Sequence, residues 1–325
     1  MSDPSRLSIG LVGYGEVGKI LAAALVERGV AWVGAWDILF ADASAGPAMK
    51  AHAAAAGVDA AGSLAALTSR ADVVVSAVTA SQAWSVADEA ARTIRPGTWF
   101  LDLNSCSPGT KRRSSQRIDA AGGRYVESAV MTSVPPYGIR VPMLLGGRDA
   151  EALRSLLVPL GFAMEVEADR IGVASAIKMC RSVMIKGLES LLVESLSSAR
   201  AYGVEDRVLA SLAETFPQLD WETVASYMVS RTALHGKRRA EEMREVAVTV
   251  REAGLDPSMA SATAERQERM GALKARGAFA AVGKDANWRE VADRVLAERR
   301  PEAQRGGAAS GPTPQGEGIA ATSRR

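Results

Sequence analysis

Residues 7–29 read LSIGLVGYGEVGKILAAALVERG: an apolar run, three glycines spaced G-x-G-x-x-G, then a stretch with Val17, Ile20, Leu21, Ala24 and Leu25 on one helical face. Glycines at this spacing make either an ordinary turn or a turn that receives a pyrophosphate, and context decides between them. Here a strand-like run leads straight into the glycines and a helix leads straight out. In that setting Gly13 permits the tight turn, Gly15 lets backbone N–H groups approach an anion, and Gly18 lets helix and strand pack closely. Tyr14, Glu16 and Val17 complete the turn and the helix start, which supplies unpaired N–H donors and a partial positive charge. The next apolar run, VAWVGAWD, ends in Asp37, 19 residues after Gly18. A carboxylate there can accept hydrogen bonds from ribose hydroxyls. Between Asp37 and Met49 there is no Arg or Lys to receive a 2′-phosphate, so the expected cofactor is NAD(H) in preference to NADP(H). The competing interpretation is a glycine turn of some other α/β protein with Asp37 capping a loop. Strand, helix and acidic residue together favour dinucleotide binding.

Working outward, short apolar runs alternate with helical stretches through the first half. Strands are expected at 8–12, 31–36, 72–78, 98–103, 124–130, 142–147 and 163–168. Runs that are apolar throughout and separated by helices indicate a doubly wound, largely parallel sheet covered on both faces. Past residue 170 the pattern becomes wholly helical. Residues 172–202 hold no proline and keep a helical period up to Gly203, a helix of about 46 Å. Further helices are expected at 205–215, 220–235, 237–253, 257–275 and 286–299. The reading is a Rossmann domain over 1–170, an all-helical domain over 171–299 and a tail over 300–325 too poor in large apolar residues to fold.

The totals narrow the function classes. The 325 residues are 47% hydrophobic and 23% charged, with a net charge of +2. That balance gives no electrostatic reason to expect nucleic acid or an anionic membrane as partner. No apolar stretch reaches the roughly 20 residues needed to span a bilayer, no export signal is visible, and a cytoplasmic protein is expected. Two cysteines and two histidines, all scattered, give no metal-ligand spacing.

Four stretches carry a resemblance: GLVGYGEVG, DLNSCSPGT (102–110), VESAVMTSV (126–134) and GVASAIKMCRS (172–182). They resemble the cofactor turn, the D-x-S-T-x-x-P segment, the substrate loop and the catalytic-lysine helix of the β-hydroxyacid dehydrogenases. That superfamily includes 6-phosphogluconate and 3-hydroxyisobutyrate dehydrogenases. SAVTASQA, LNSCSPGTKR and HGKRRAEEM are most similar to a branch with its own type of C-terminal domain. The resemblance implies hydride transfer between a nicotinamide and a small β-hydroxy acid or its carbonyl partner, with Lys178 as general acid/base. An apolar helix start would lower its pKa in the required direction; the bland alternative is a solvated lysine. Asn104 and Ser105 are implied to hold the substrate or the nicotinamide, or else form a turn ahead of Pro108. Val78 and Thr79 would line the cofactor cleft.

The departures are informative. Where the family has asparagine four residues after the lysine, this chain has Ser182, and a decarboxylating glutamate is replaced by Ile185. Oxidative decarboxylation of 6-phosphogluconate is therefore not expected. Met131, Thr132 and Ser133 stand where the family loop has S-G-G, leaving Thr132 and Ser133 as hydroxyl-bearing substrate contacts. His235 and Arg239, four apart, read either as a solvated helix face or as a pair reaching an anionic substrate in the interdomain cleft. A homodimer through the helical domain is expected. His52 reads as a surface residue without a role. An imine- or opine-type reductase and a non-catalytic NAD-sensing module are the alternatives.

Overall fold

The strands are β1 (Ser8–Val12), β2 (Trp32–Trp36), β3 (Asp59–Ala60), β4 (Val73–Ser76), β5 (Trp99–Asp102), β6 (Arg124–Val130), β7 (Pro142–Gly146) and β8 (Ala163–Ala168). In the computed structural model, which describes residues 6–283 and 285–298, they form one sheet in the order β3-β2-β1-β4-β5-β6-β7-β8. All neighbours are parallel except β6 and β7. The seven expected runs are all strands; only β3 was not anticipated, because two residues carry no readable period.

The central strands are apolar on both faces because both faces are covered. Ile9, Leu11, Val73 and Val75 pack into one cluster with Leu21 and Leu25. Val12, Val74 and Phe100 pack into the opposite one with Leu67 and Ile118. The covering helices are α1 (Glu16–Glu27), α2 (Gly46–Ala55), α3 (Leu64–Thr68), α4 (Ala83–Ala90), α5 (Pro108–Ala120) and α6 (Ala150–Leu157). Strand order reverses between β1 and β4, and the parallel strands open their carboxyl ends to one edge, where such sheets bind ligands. The loops bearing Gly13, Asp37, Val78, Asn104 and Thr132 all leave from that edge.

After β8 every described element is helical: α7 (Val173–Tyr202), α8 (Glu205–Thr215), α9 (Trp221–Glu252), α10 (Ser258–Ala275) and α11 (Trp288–Ala297). α7 is flanked by Gly172 and Gly203, both with positive φ, and it stops at Gly203 as that glycine's placement predicts. No described helix is long and apolar enough to cross a membrane. The expected tail, 300–325, lies outside the described residues.

One helix boundary differs. The expected break at Gly236 does not occur; α9 runs unbroken through it. A Cβ at Gly236 would stand 2.6 Å from the Gln267 carbonyl oxygen, and one at Gly271 would stand 2.7 Å from the Lys237 nitrogen. This glycine is present because α9 and α10 cross there with their backbones nearly touching.

Candidate active site

The glycine turn divides into two kinds of position. A Cβ at Gly13, whose φ is +97°, would meet the Ala77 carbonyl oxygen at 2.4 Å, and one at Gly18 would meet the Gly13 oxygen at 2.0 Å. Both are therefore required by the protein's own packing. A Cβ at Gly15 would meet nothing within 4 Å. Gly15 is exposed, and it precedes α1 without a side-chain cap, so the first-turn N–H groups face open space. That combination fits a phosphate group: room above the turn, and donors aimed into it.

Asp37 follows β2 and turns back to the same loop. One carboxylate oxygen accepts the Tyr14 amide at 2.7 Å and the other accepts the Leu39 amide at 2.9 Å. Each oxygen keeps a further lone pair for a ribose hydroxyl. Tyr14 contributes only backbone at this edge. Its side chain is fully buried, packs on Phe40 and shares a hydrogen bond with His52. His52, exposed and without an expected role, is thus the polar partner of a buried phenol. Glu16 is exposed and Val17 half-buried at the start of α1.

Asn104 ties two strand ends together. Its carbonyl oxygen accepts the Val78 amide at 2.7 Å, and its amide nitrogen donates to Ser76 at 2.9 Å. This fixes the Val78–Thr79 segment beside the loop that follows β5. Beneath the loop lies a network the sequence does not announce. Asp102 pairs with Lys111 at 2.9 Å, both only 1% exposed, and accepts the Tyr125 hydroxyl at 2.6 Å. Lys111 reads as an ordinary solvated residue of an early helical turn, so no local signal marks it.

Lys178, one turn into α7, donates from its amine to the Ser105 hydroxyl oxygen at 2.7 Å. The start of α7 is held by Glu127 of β6, whose carboxylate accepts the Gly172 amide at 2.6 Å and the Ala174 amide at 3.2 Å. A carboxylate at a helix N-terminus also suits the helix dipole. Burial lowers the Lys178 pKa from 10.5 to about 8, opposed by Glu242 and reinforced by Lys186, Lys111 and Arg238.

The helical domain grips the same loop from the other side. Glu245 of α9 accepts the Ser107 amide at 2.8 Å, while Glu252 accepts the Ser107 hydroxyl and the Gly109 amide, each at 2.8 Å. Two carboxylates from one domain thus sit on the first turn of α5 in the other. Their spacing of seven on α9 is visible in the sequence; their destination is not.

Other expected site residues are placed elsewhere. Thr132 and Ser133 are exposed on the loop after β6, at the ligand edge. Ser182 is buried and accepts a hydrogen bond from the Lys186 amine at 3.1 Å. Arg239 is buried and paired with Glu189 of α7, which Gln267 of α10 also contacts. Glu189 lies eleven residues beyond Lys178 on α7, or about 16 Å along the helix. Arg239 therefore belongs to the core of the helical domain, engaged by a carboxylate 50 positions away. His235 is exposed, and α7 and α9 run antiparallel, so it lies farther still from Lys178. Partial desolvation of its ring and the nearby cations Arg238, Arg239, Arg231 and Lys274 lower its pKa to about 4. The structure does not bring the His235–Arg239 pair to Lys178 within one chain.

A doubly wound sheet with an open glycine turn, joined through a lysine-bearing spine to a helical domain, defines the class of NAD(P)-binding proteins with 3-hydroxyacid dehydrogenase-like architecture. Residues 8–149 match the NAD binding domain of 6-phosphogluconate dehydrogenase, and residues 199–270 match a domain of unknown function, DUF1932. A conserved hypothetical protein from Sinorhizobium meliloti 1021 is 40% identical, with 89% of this chain and 96% of that chain covered and a TM-score of 0.70. A conserved protein of unknown function, described as structurally similar to 3-hydroxyacid dehydrogenases, is 33% identical, covering 83% of this chain and 99% of that one at a TM-score of 0.64. The chain belongs to the 6-phosphogluconate dehydrogenase-like family, in the branch that carries the DUF1932 domain. The 3-hydroxyisobutyrate dehydrogenase of Mycobacterium tuberculosis shares the fold at 19% identity, with 89% and 99% of the two chains covered and a TM-score of 0.64.

Proposed function

We propose that this protein is a nicotinamide-dependent dehydrogenase or reductase that exchanges a hydride with a small β-hydroxy acid or the matching carbonyl compound. The observation that carries this reading is the Lys178–Ser105 contact of 2.7 Å. It places an amine of pKa about 8 beside the loop after a central strand, on the edge that also holds the glycine turn. A lysine near neutrality can exchange a proton with a hydroxyl; an ordinary surface lysine cannot do so efficiently.

A nicotinamide bound at this edge would supply the hydride acceptor or donor. The turn at Gly15 and the start of α1 would hold its phosphates, and Asp37 the ribose beside the adenine. Neutral Lys178 takes the hydroxyl proton during oxidation, and its protonated form returns one during reduction. Ser105 orients that amine, and Asn104 keeps the neighbouring strand ends in register. Thr132 and Ser133 lie on the adjoining loop and are available to an anionic substrate. The Asp37 carboxylate, followed by no Arg or Lys as far as Met49 in the sequence, favours NAD(H) over NADP(H).

The same reading includes a homodimer formed through the helical domain. It is supported by Ile177, Met184 and Leu191, spaced by seven along α7 and 36%, 73% and 54% exposed. An apolar seam on so long a helix suits a second copy of itself.

The test is reduction of NAD+ and NADP+ by the purified protein across hydroxy acids graded in size and charge, alongside Lys178→Ala. Turnover that collapses in the variant while NADH still binds supports an enzyme with this lysine at its centre. Tight NADH binding with no turnover on any substrate would instead point to a sensing module.

A further inference from the structure

Lys178, Ser182 and Lys186 follow one another at intervals of four, so all three lie along one face of α7. Lys186 is 9% exposed and donates to Ser182 at 3.1 Å. It also pairs with Glu242 of α9 at 2.9 Å, and the other oxygen of Glu242 holds Arg238 at 2.7 Å. One carboxylate thus bridges two cations, one deeply buried and one at the surface, on the flank of the lysine assigned the proton transfer. Lys186 and Glu242 lie on different helices and meet only because the domain folds, whereas Arg238 and Glu242 share one face of α9.

We infer that the Lys186–Glu242 pair is a positioning device that sets the protonation of Lys178. This rests on the proposed role of Lys178 and names the groups that regulate it. Lys178 faces Ser105 and Cys106 from the loop after β5. It also faces Lys111 from α5, Lys186 from its own helix, and Arg238 and Glu242 from α9. Lys186 additionally faces Glu189, but that carboxylate is already taken up by Arg239 and Gln267. Lys111 is taken up by Asp102. Glu242, held to about pKa 2 chiefly by Lys186 and Arg238 against its burial, carries its full charge at any working pH. Burial is the main cause of the lowered proton affinity at Lys178; among the charges Glu242 acts most strongly and opposes it, while Lys186 and Arg238 reinforce it. Each member therefore pulls on Lys178 with a predictable sign: Lys186 lowers its proton affinity and Glu242 raises it.

The experiment is competitive acetylation of Lys178 as a function of pH, read by mass spectrometry on the full-length protein without cofactor. The wild-type midpoint is expected near 8. In Lys186→Met it should rise by about one pH unit, and in Glu242→Gln it should fall by a similar amount. Lys186→Arg, which keeps the charge, should restore the wild-type midpoint, and so should the double variant Lys186→Met/Glu242→Gln. Should Glu242→Gln alone fail to fold, Lys186→Met and the neutral double variant still decide. A purely structural role would not move the midpoint in opposite directions. Midpoints that stay fixed, or move the same way in both variants, overturn the inference. Because labelling needs no turnover, opposite shifts in a protein inactive on every hydroxy acid would sustain the electrostatic device while rejecting the proposed reaction.

Discussion

The Lys178 amine and the Ser105 hydroxyl meet at 2.7 Å although 73 positions separate them in sequence. One belongs to the spine of the helical domain and the other to a loop of the sheet domain. The contact therefore depends on the start of α7 being packed against the sheet, where Glu127 of β6 holds it.

Lys178→Ala should lower turnover by roughly 100- to 10,000-fold while NADH affinity, measured by fluorescence titration, stays the same. The pH profile gives a second check. Oxidation needs the neutral amine, so its rate should rise as pH increases through about 8. Reduction needs the protonated amine and should fall over the same interval. Profiles of the same sign in both directions would exclude this lysine as the proton carrier.

The glycines of the opening turn should separate by phenotype. Gly18→Ala forces a Cβ to 2.0 Å from a backbone oxygen and should destabilise the protein by about 1–3 kcal/mol in denaturant unfolding. Gly15→Ala meets nothing inside the protein, so its Tm should stay near wild type. Its affinity for NADH should nevertheless fall about tenfold or more, since a methyl group enters the space left for the phosphates. Unchanged binding in Gly15→Ala would remove the cofactor from this turn.

Glu252 and Gly109 form the outer latch between the domains. A Cβ at Gly109 would stand 2.2 Å from the Glu252 carboxylate. Gly109→Ala should push that side chain off the start of α5. Hydrogen exchange at the Gly109 amide, which Glu252 holds, should then quicken, and Glu252→Ala should cost about 1–3 kcal/mol through the lost hydrogen bonds to a charged group. An unaltered Gly109 protection factor in both variants would mean that Glu252 is not what holds this helix start.

The apolar seam on α7 makes a separate claim. Met184→Glu and Leu191→Glu should shift sedimentation from dimer to monomer, leaving the fold intact by circular dichroism. A wild-type protein that sediments as a monomer would discard the dimer outright.

Much of this architecture was legible because it is locally encoded. The glycine turn announces itself within a dozen residues, and the spine between Gly172 and Gly203 is bounded by the two glycines that cap it. What escaped depends on partners distant in the chain. Gly236 looks like a helix break until α10 is laid against it. Arg239 looks free until Glu189 is found beside it. Lys111 gives no hint that Asp102 will take it into the interior. Lys186 could have been singled out by its interval of eight from Lys178, but Glu242 lies on another helix and only folding unites them.

On the proposed reading Asp37 would do two jobs with one carboxylate: it would meet the ribose of the cofactor, and it tethers the backbone of Tyr14 at 2.7 Å. A lineage drifting toward a phosphorylated dinucleotide could not simply exchange this side chain for a neutral or basic one, because the same change would slacken the loop beneath the ligand. On that reading selectivity and scaffold would be inherited together, and any redesign of one would first have to find the other a new anchor.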